Sequence, residues 1–367
     1  MDGTEELLTA GIDVLRELLG DDWKIIRQAV ADDSGVDAMV QVTPPADSVY
    51  TQLLVDVESK ITPLRVEDVL RPKVALIRQV NSGMNLLVVA PWIAPRTQQA
   101  LRTYGINYLD LSGNVSIRIP RPAVVIQAQG ASRQPQSEVV RRDSVPTLAG
   151  PRAGRLVRCL ADFRPPYRAG QIADAADVSL PWVSRLLAVL EEQLLIRRDG
   201  RVITHVDWPN LLRARAATFE LLRHNSYVGM FAPNGVVEVL DTLRTLNPAD
   251  GRRPTVTGSF AARAVAPLAA GGQLMFYVGP GPRDPDIVGD RLGLLRVDDH
   301  ADVVILRAHD PVVFDRSRIV DDIPHVALSQ LAIDCLSGPG RMPAEGEAVL
   351  EYLAAAEGEW RRPLPAV

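Results

Sequence analysis

The sequence predicts a multi-domain α/β protein, and three observations lead there. A chain of 367 residues is longer than one core of this type holds, so two or three domains follow. Both ends of the chain mix strand-like runs with helix-like periodicity, the pattern of α/β units. Between them, Ala153 to Val206 breaks into three short helical runs and an arginine-rich hairpin, around which the rest is organised. The divisions that result are an α/β domain over 1–130, a linker over 131–151, a helical module over 152–207 and a second α/β domain over 208–367.

Composition narrows the class. An apolar fraction of 47% and a charged fraction of 23% describe an ordinary globular chain. No apolar run approaches the ~18 residues of a membrane span. The opening MDGTEELLTAG is acidic and polar, unlike a secretory leader. Cys159 and Cys335 lie far apart in helical patterns, so buried thiols in a reducing cytoplasm are expected. The net charge of −5 excludes a uniformly basic nucleic-acid binder but not a local patch. Arg133, Arg141, Arg142, Arg152, Arg155 and Arg158 form one, opposed only by Glu138 and Asp143.

In chain order, Glu5 to Leu19 is a helix with Leu7, Leu8, Ile12, Leu15, Leu18 and Leu19 inward. Trp23–Val30, Val36–Val42 and Gln52–Glu58 read as strands, and Pro63–Asn81 as a long helix. Asn85–Ala90 is a buried strand, because its apolar run is continuous and bounded by Asn and Pro. Pro95–Tyr104 is a helix, and Tyr108–Leu111, Val115–Ile119 and Val124–Gln127 complete the strands. Asp110 stands at a strand end before Leu-Ser-Gly-Asn, a turn with Gly113 and Asn114 free for unusual backbone angles.

Asp37 begins one strand, and Glu58-Ser59-Lys60 ends the next. Side chains two apart in a strand share a face, so Asp56, Glu58 and Lys60 are expected to point one way. The constellation resembles the PD-(D/E)xK, or restriction-endonuclease-like, fold. That resemblance implies that Asp37 and Glu58 hold Mg²⁺ while Lys60 steadies the attacking water or the scissile phosphate. Hard oxygen ligands suit that ion, and the metal polarises the phosphate. The three residues would then be the catalytic set of a metal-dependent DNA nuclease. The alternative is a scaffold that binds DNA or a partner, cuts nothing and needs no cofactor.

Gln129 to Pro151 is polar and poor in large apolar residues, the composition of a tether. The module follows. Gly154–Phe163 carries Leu156, Val157, Leu160 and Phe163 at helical spacing and is stopped by Arg164-Pro165-Pro166. Ala169–Ala176 turns Ile172 and Ala173 inward. The third run opens at Ser179 as N-cap, with Pro181 tolerated in the first turn. Its stripe of Val183, Leu186, Leu187, Leu190 and Leu194 packs on the first two helices. Ser179, Trp182, Ser184, Arg185 and Ala188 occupy the opposite face. Asp199-Gly200 between two β-prone runs marks a hairpin bearing Arg197, Arg198 and Arg201.

This pattern resembles a winged helix-turn-helix. The resemblance implies that Ser179, Trp182, Ser184 and Arg185 meet the major groove of double-stranded DNA, while Arg197, Arg198 and Arg201 meet phosphates. The other reading is a three-helix interaction module that binds no DNA.

Beyond it, Trp208–His224 reads as a helix with an arginine-rich face of Arg213, Arg215 and Arg223, and Val236–Thr245 as another. Thr255-Val256-Thr257 runs through Gly258-Ser259 into a helix. Leu274–Val278 and Val303–Leu306 are strands, and Ala327–Cys335 and Glu345–Ala356 are helices. The strand-Gly-Ser-helix turn resembles the entry of nucleotidyltransferase-like domains. Such enzymes need paired acids on the next strand, and Leu274–Val278 has none, so an inactive relative with Gly258 as a packing glycine is expected.

The order of module and α/β domain, with Ser329–Leu353 and TGSFAAR, is similar to the AbiEi antitoxins of type IV toxin–antitoxin systems. The similarity implies operon repression and a cognate toxin. The extra N-terminal domain departs from that family, whose members begin with the winged helix. The combined expectation is a cytoplasmic, sequence-specific DNA-binding regulator or antitoxin-like repressor, with a homodimer as a possible form. The DNA nuclease and a protein-binding scaffold stand as alternatives.

Overall fold

The computed structural model describes residues 2–28, 30, 35–45, 49–81, 83–132, 147–246, 253–268 and 272–365. The chain divides into two compact units, Met1–Ser144 with Leu190–Leu194, and Val145–Val189 with Leu195–Val367.

The first unit runs α1 (Asp2–Leu19), β1 (Lys24–Gln28), β2 (Ala38–Thr43), β3 (Thr51–Val57), α2 (Pro63–Arg65), a π-helical turn (Val66–Leu70), α3 (Arg71–Val80), β4 (Asn85–Ala90), α4 (Pro95–Thr103), β5 (Asn107–Asp110), β6 (Val115–Ile119) and β7 (Val124–Ala128). Its seven strands lie in sequence order in one sheet. The pairs β3–β4 and β4–β5 are parallel, because helices carry the chain back between them. The remaining neighbours are antiparallel. Leu7, Leu8, Ile12 and Leu15 of α1 cover one face with Val40, Val55 and Leu87. Val66, Leu70, Val74 and Leu101 cover the other with Val88 and Tyr108. The long helix expected over 63–81 widens into its π turn just before Pro72. Proline has no N–H for the carbonyl four residues back, which is the physical reason for the irregularity.

The second unit begins with α5 (Pro151–Asp162), β8 (Phe163–Arg164), β9 (Tyr167–Arg168), α6 (Ala169–Ala175), α7 (Leu180–Glu192), β10 (Ile196–Asp199) and β11 (Val202–Val206). It continues through α8 (Trp208–Ala216), α9 (Leu221–His224), β12 (Tyr227–Phe231), α10 (Gly235–Thr245), β13 (Thr255–Thr257), α11 (Gly258–Arg263), β14 (Leu274–Val278) and α12 (Asp284–Arg291). Then come β15 (Leu295–Arg296), β16 (Val303–Arg307), β17 (Arg318–Val320), β18 (Ile323–His325), α13 (Leu328–Leu336), α14 (Met342–Ala355), α15 (Glu357–Trp360) and β19 (Arg362–Pro363). A seven-stranded sheet takes the order β15-β12-β16-β14-β13-β18-β17. The short β19 pairs in parallel with β8. Just before it, the Arg361 guanidinium donates to the carbonyls of Leu160 (3.2 Å), Ala161 (2.7 Å) and Phe163 (2.7 Å), closing the end of α5.

The single helix expected over Trp208–His224 is two helices, and its arginines do not form one face. Arg215 is buried, with its guanidinium 4.7 Å from the Phe219 ring and a bond to the Leu148 carbonyl. Arg213 pairs with Glu347 at 2.6 Å. The basic patch also fails at α5. Arg158 is fully buried, and Arg155 is held by Asp310 at 3.1 Å. Hydrogen bonding and ion pairing inside the unit consume charges that the linear sequence seems to offer to solvent. Arg133, Glu138, Arg141, Arg142 and Asp143, like most of the expected linker, lie outside the described residues. Cys159 and Cys335 are buried free thiols, and burial pushes Cys159 up to about 11. No helix among the described residues is long and apolar enough to cross a membrane.

Candidate nucleic-acid interface

The module is built around a small apolar core. Leu156, Val157 and Leu160 of α5, Ile172 and Ala173 of α6, and Val183, Leu186, Leu187 and Leu190 of α7 are all buried. Ile196, Ile203 and Val206 add the inner face of the hairpin. Leu194, expected to extend the helical stripe, instead follows the helix with φ of 53°, where the chain turns into β10. The α6–α7 turn is tight. Asp177 takes φ of 51°, and the Val178 amide donates to the Ala173 carbonyl at 3.0 Å. The Val183 amide then donates to the Ser179 carbonyl at 3.1 Å and starts α7.

Burial of the apolar stripe fixes what faces solvent. Ser179, Ser184, Arg185 and Ala188 are exposed, and Trp182 is half-buried at the margin. Leu180, 47% exposed at the first position of α7, joins them. The sequence reading does not include Leu180 as a contact; its place before Pro181 in the first turn is the signal that could have found it.

The hairpin pairs β10 with β11, and Gly200-Arg201 forms its two-residue tip, with Gly200 at φ of 57°. A bulge between Arg197 and Arg198 shifts the register. Arg197 and Arg201 are exposed and Arg198 is half-buried. A third strand completes the sheet: β9 pairs antiparallel with β11 through Val202↔Arg168 and Ile203↔Tyr167. The arrangement is three helices and a three-stranded wing. It offers one polar helix face and a cationic hairpin, suited to a polyanion.

The other candidate residues sit elsewhere. Asp37 and Glu58 come to neighbouring strand ends: the Asp37 carboxylate accepts the Val57 amide at 2.7 Å, and Glu58 follows that residue. Glu58 is buried, pairs with Arg65 at 2.7 Å, and lines a cleft of about 610 Å³ with Pro91 and Leu111. Burial pushes its carboxyl up from the usual range, against the lowering pull of Arg65. Asp56 pairs with Lys73 at 2.6 Å. The expectation that strand alternation aligns Glu58 with Lys60 does not hold, because β3 stops at Val57. Lys60 is exposed and pairs with Glu192 at 2.9 Å. Arg65 and Lys73 already answer the acids, and no cluster of three His, Cys, Asp or Glu suited to a metal occurs among the described residues. Asp110 is structural. It accepts from the amides of Ile93, Ser112 and Asn114, the Ser112 hydroxyl and the Asn114 side chain, closing a turn in which Gly113 has φ of 94°.

In the second unit Gly258 has φ of 70°, and a Cβ there would meet Met275 Sδ at 3.0 Å. Both Gly258 and Ser259 are buried. Asp334 of α13 stands beside this turn, bonded to the residue that precedes it. It accepts from Thr257 Oγ1 (2.7 Å), Tyr277 OH (3.0 Å) and Gln330 Nε2 (2.8 Å). Gln330 in turn accepts from Arg158 at 2.8 Å. Burial pushes the Asp334 carboxyl up to about 6.

The family model described as the IclR helix-turn-helix domain matches residues 151–200, from the start of α5 to the hairpin tip. No curated protein and no solved structure matches the chain. The match is to a short part of the chain, and it supports sequence-specific DNA binding in transcription regulation by a protein similar there to the IclR helix-turn-helix.

Proposed function

We propose that this regulator reads its DNA site with the exposed half of α7 and grips the flanking backbone with its wing. Ser179, Trp182, Ser184 and Arg185 contact base edges, Leu180 offers an apolar contact to a thymine methyl, and Arg197, Arg198 and Arg201 meet phosphates. The observation that carries this is the sorting of α7 into one fully buried apolar stripe and one exposed polar face beside a cationic hairpin.

In this reading the chain is an antitoxin-like repressor of its own operon, acts in the cytoplasm, and pairs with a cognate toxin and a second copy of itself. Residues 1–130 form a restriction-endonuclease-like scaffold that cuts nothing and needs no cofactor. Residues 131–151 are a linker and 152–207 the winged helix. Residues 208–367 form a nucleotidyltransferase-like domain without transfer activity. What supports the last point is that β14 is wholly buried and bears no acid, while Gly258 and Ser259 of the turn are buried.

Selection of genomic fragments by the full chain, followed by titration of the enriched site, tests the reading. Arg185→Ala should cost about 1–3 kcal/mol on that site and relax its sequence preference. Arg201→Ala should weaken all sequences alike and reduce the salt dependence by about one counterion. Unchanged binding by the double variant would exclude α7 and the wing as the DNA surface.

A further inference from the structure

A cavity of about 500 Å³ opens in the second unit where α5 ends, between β17 and the α14–α15 turn. Phe163, Tyr352 and Trp360 give it aromatic walls, and Arg316, Arg318 and Arg362 supply cations. The walls are held rigidly. The Trp360 indole donates to the Leu353 carbonyl at 2.9 Å and packs edge-on against Trp208 at 4.9 Å. The Arg316 guanidinium lies 5.5 Å from the centre of the Phe163 ring.

The cations are not equivalent. Arg316 is committed to the buried Asp162, which also has Arg158 at 3.5 Å. Arg318 differs: its Nε reaches the Val326 carbonyl at 3.4 Å, but its Nη2 is buried with no hydrogen-bond partner among the described residues. A buried guanidinium nitrogen without an acceptor is unfavourable, and a water or a ligand oxygen would relieve it. The three arginines against Asp162 and the rim Glu359 leave one positive charge in excess.

We infer that this cavity is a binding site for a small aromatic monocarboxylate, whose ring lies among Phe163, Tyr352 and Trp360 and whose carboxylate accepts from Arg318 and Arg362. A single carboxylate matches the excess charge and the unused donor, and a flat apolar body matches the walls. A nucleotide fits poorly, because its several negative charges would face Asp162 and Glu359. The site does not depend on the DNA reading, since binding here is measurable with no DNA present.

The test uses the full chain with benzoate, phenylacetate and indole-3-acetate, each against its neutral amide. Thermal melting and tryptophan emission are the readouts. At least one acid should raise the melting temperature saturably and quench emission, with its amide at least about 10-fold weaker. Arg318→Gln and the exposed Arg362→Gln should each weaken that acid by about 10-fold. Trp360→Phe should remove most of the quench while the melting shift remains. If no acid outperforms its amide, or if Arg362→Gln binds as the parent does, the proposal is wrong. Should Arg318→Gln fail to fold, Arg362→Gln alone decides between these outcomes.

Discussion

Arg158 separates two views of the same residue. In the sequence it belongs to a basic cluster and suggests a phosphate contact; in the structure it is fully buried. Its guanidinium donates to the Val312 carbonyl (3.1 Å), to Gln330 Oε1 (2.8 Å) and to the Asp315 carbonyl (2.9 Å), with Asp162 at 3.5 Å. Arg158→Ala would remove these charge-assisted donors together, leaving the buried Gln330 Oε1 and the carbonyls of Val312 and Asp315 without them while Asp162 keeps Arg316. Removal of one partner from a buried ionic cluster costs roughly 3–5 kcal/mol. That is a large part of the ~5–15 kcal/mol that holds a domain together. Urea unfolding followed by tryptophan emission should show it as a fall in midpoint of about 1–2 M, given slopes of roughly 2–3 kcal/mol/M. Arg158→Lys keeps the charge but not the planar fork, so its loss should be intermediate. Measured below the variant's melting temperature, the salt dependence of DNA affinity should be unchanged. A stability loss under about 1 kcal/mol, together with a salt slope reduced by about one counterion, would refute the structural role and restore the phosphate contact.

Other consequences can be checked with single variants. Gly258→Ala forces a side chain to φ of 70° and against Met275, and should lower stability by roughly 1–3 kcal/mol in calorimetry. Asp334 releases its proton at about 6 in the folded chain, against an ordinary value of 3.8. The stability this group contributes is therefore full below about pH 4 and lost as pH rises through 6. Asp334→Asn should gain on the parent over that window, by at most ~3 kcal/mol, and keep that advantage unchanged at higher pH. An advantage that does not change with pH across that window would mean that Asp334 is not the titrating group. With Mg²⁺ or Mn²⁺ the parent should leave supercoiled plasmid intact, and metal-dependent nicking that Glu58→Ala abolishes would make the first unit a nuclease. Labelled ATP, CTP, GTP or UTP should mark neither the chain nor added RNA.

Elements with strong periodicity were legible in the sequence. The helix at 2–19, the strands at 85–90 and 115–119, and the helices of the module lie within a few residues of expectation, because each buries a stripe whose spacing is its own signal. The two-residue β9 and the edge strands β15 and β17 were not, since two or three residues carry no period. Strand β12, Tyr-Val-Gly-Met-Phe, was missed because it is half-exposed and broken by Gly229, which the Val297 carbonyl and Ala301 approach closely. The candidate interface was legible because α7 sorts polar from apolar along one helix. The fates of Arg155, Arg158 and Arg215 were not, because their partners Asp310, Gln330 and Leu148 lie far off in sequence. Charge in a linear sequence says nothing about what will face it.

The three carbonyls at the end of α5 are answered by one side chain some 200 positions downstream, that of Arg361. On the ribosome, α5, α6, α7 and the hairpin emerge long before that guanidinium does. At roughly 5–20 residues per second the helix end waits uncapped for about 10–40 s. A nascent or truncated product ending before residue 361 thus holds a DNA-binding module whose first helix is open at its foot, while a chain that includes Arg361 closes it. The clip ties the foot of the first helix to a segment translated some 200 residues later, so a chain stopped at residue 356 should show faster amide exchange at Leu160 to Phe163 than one that includes Arg361.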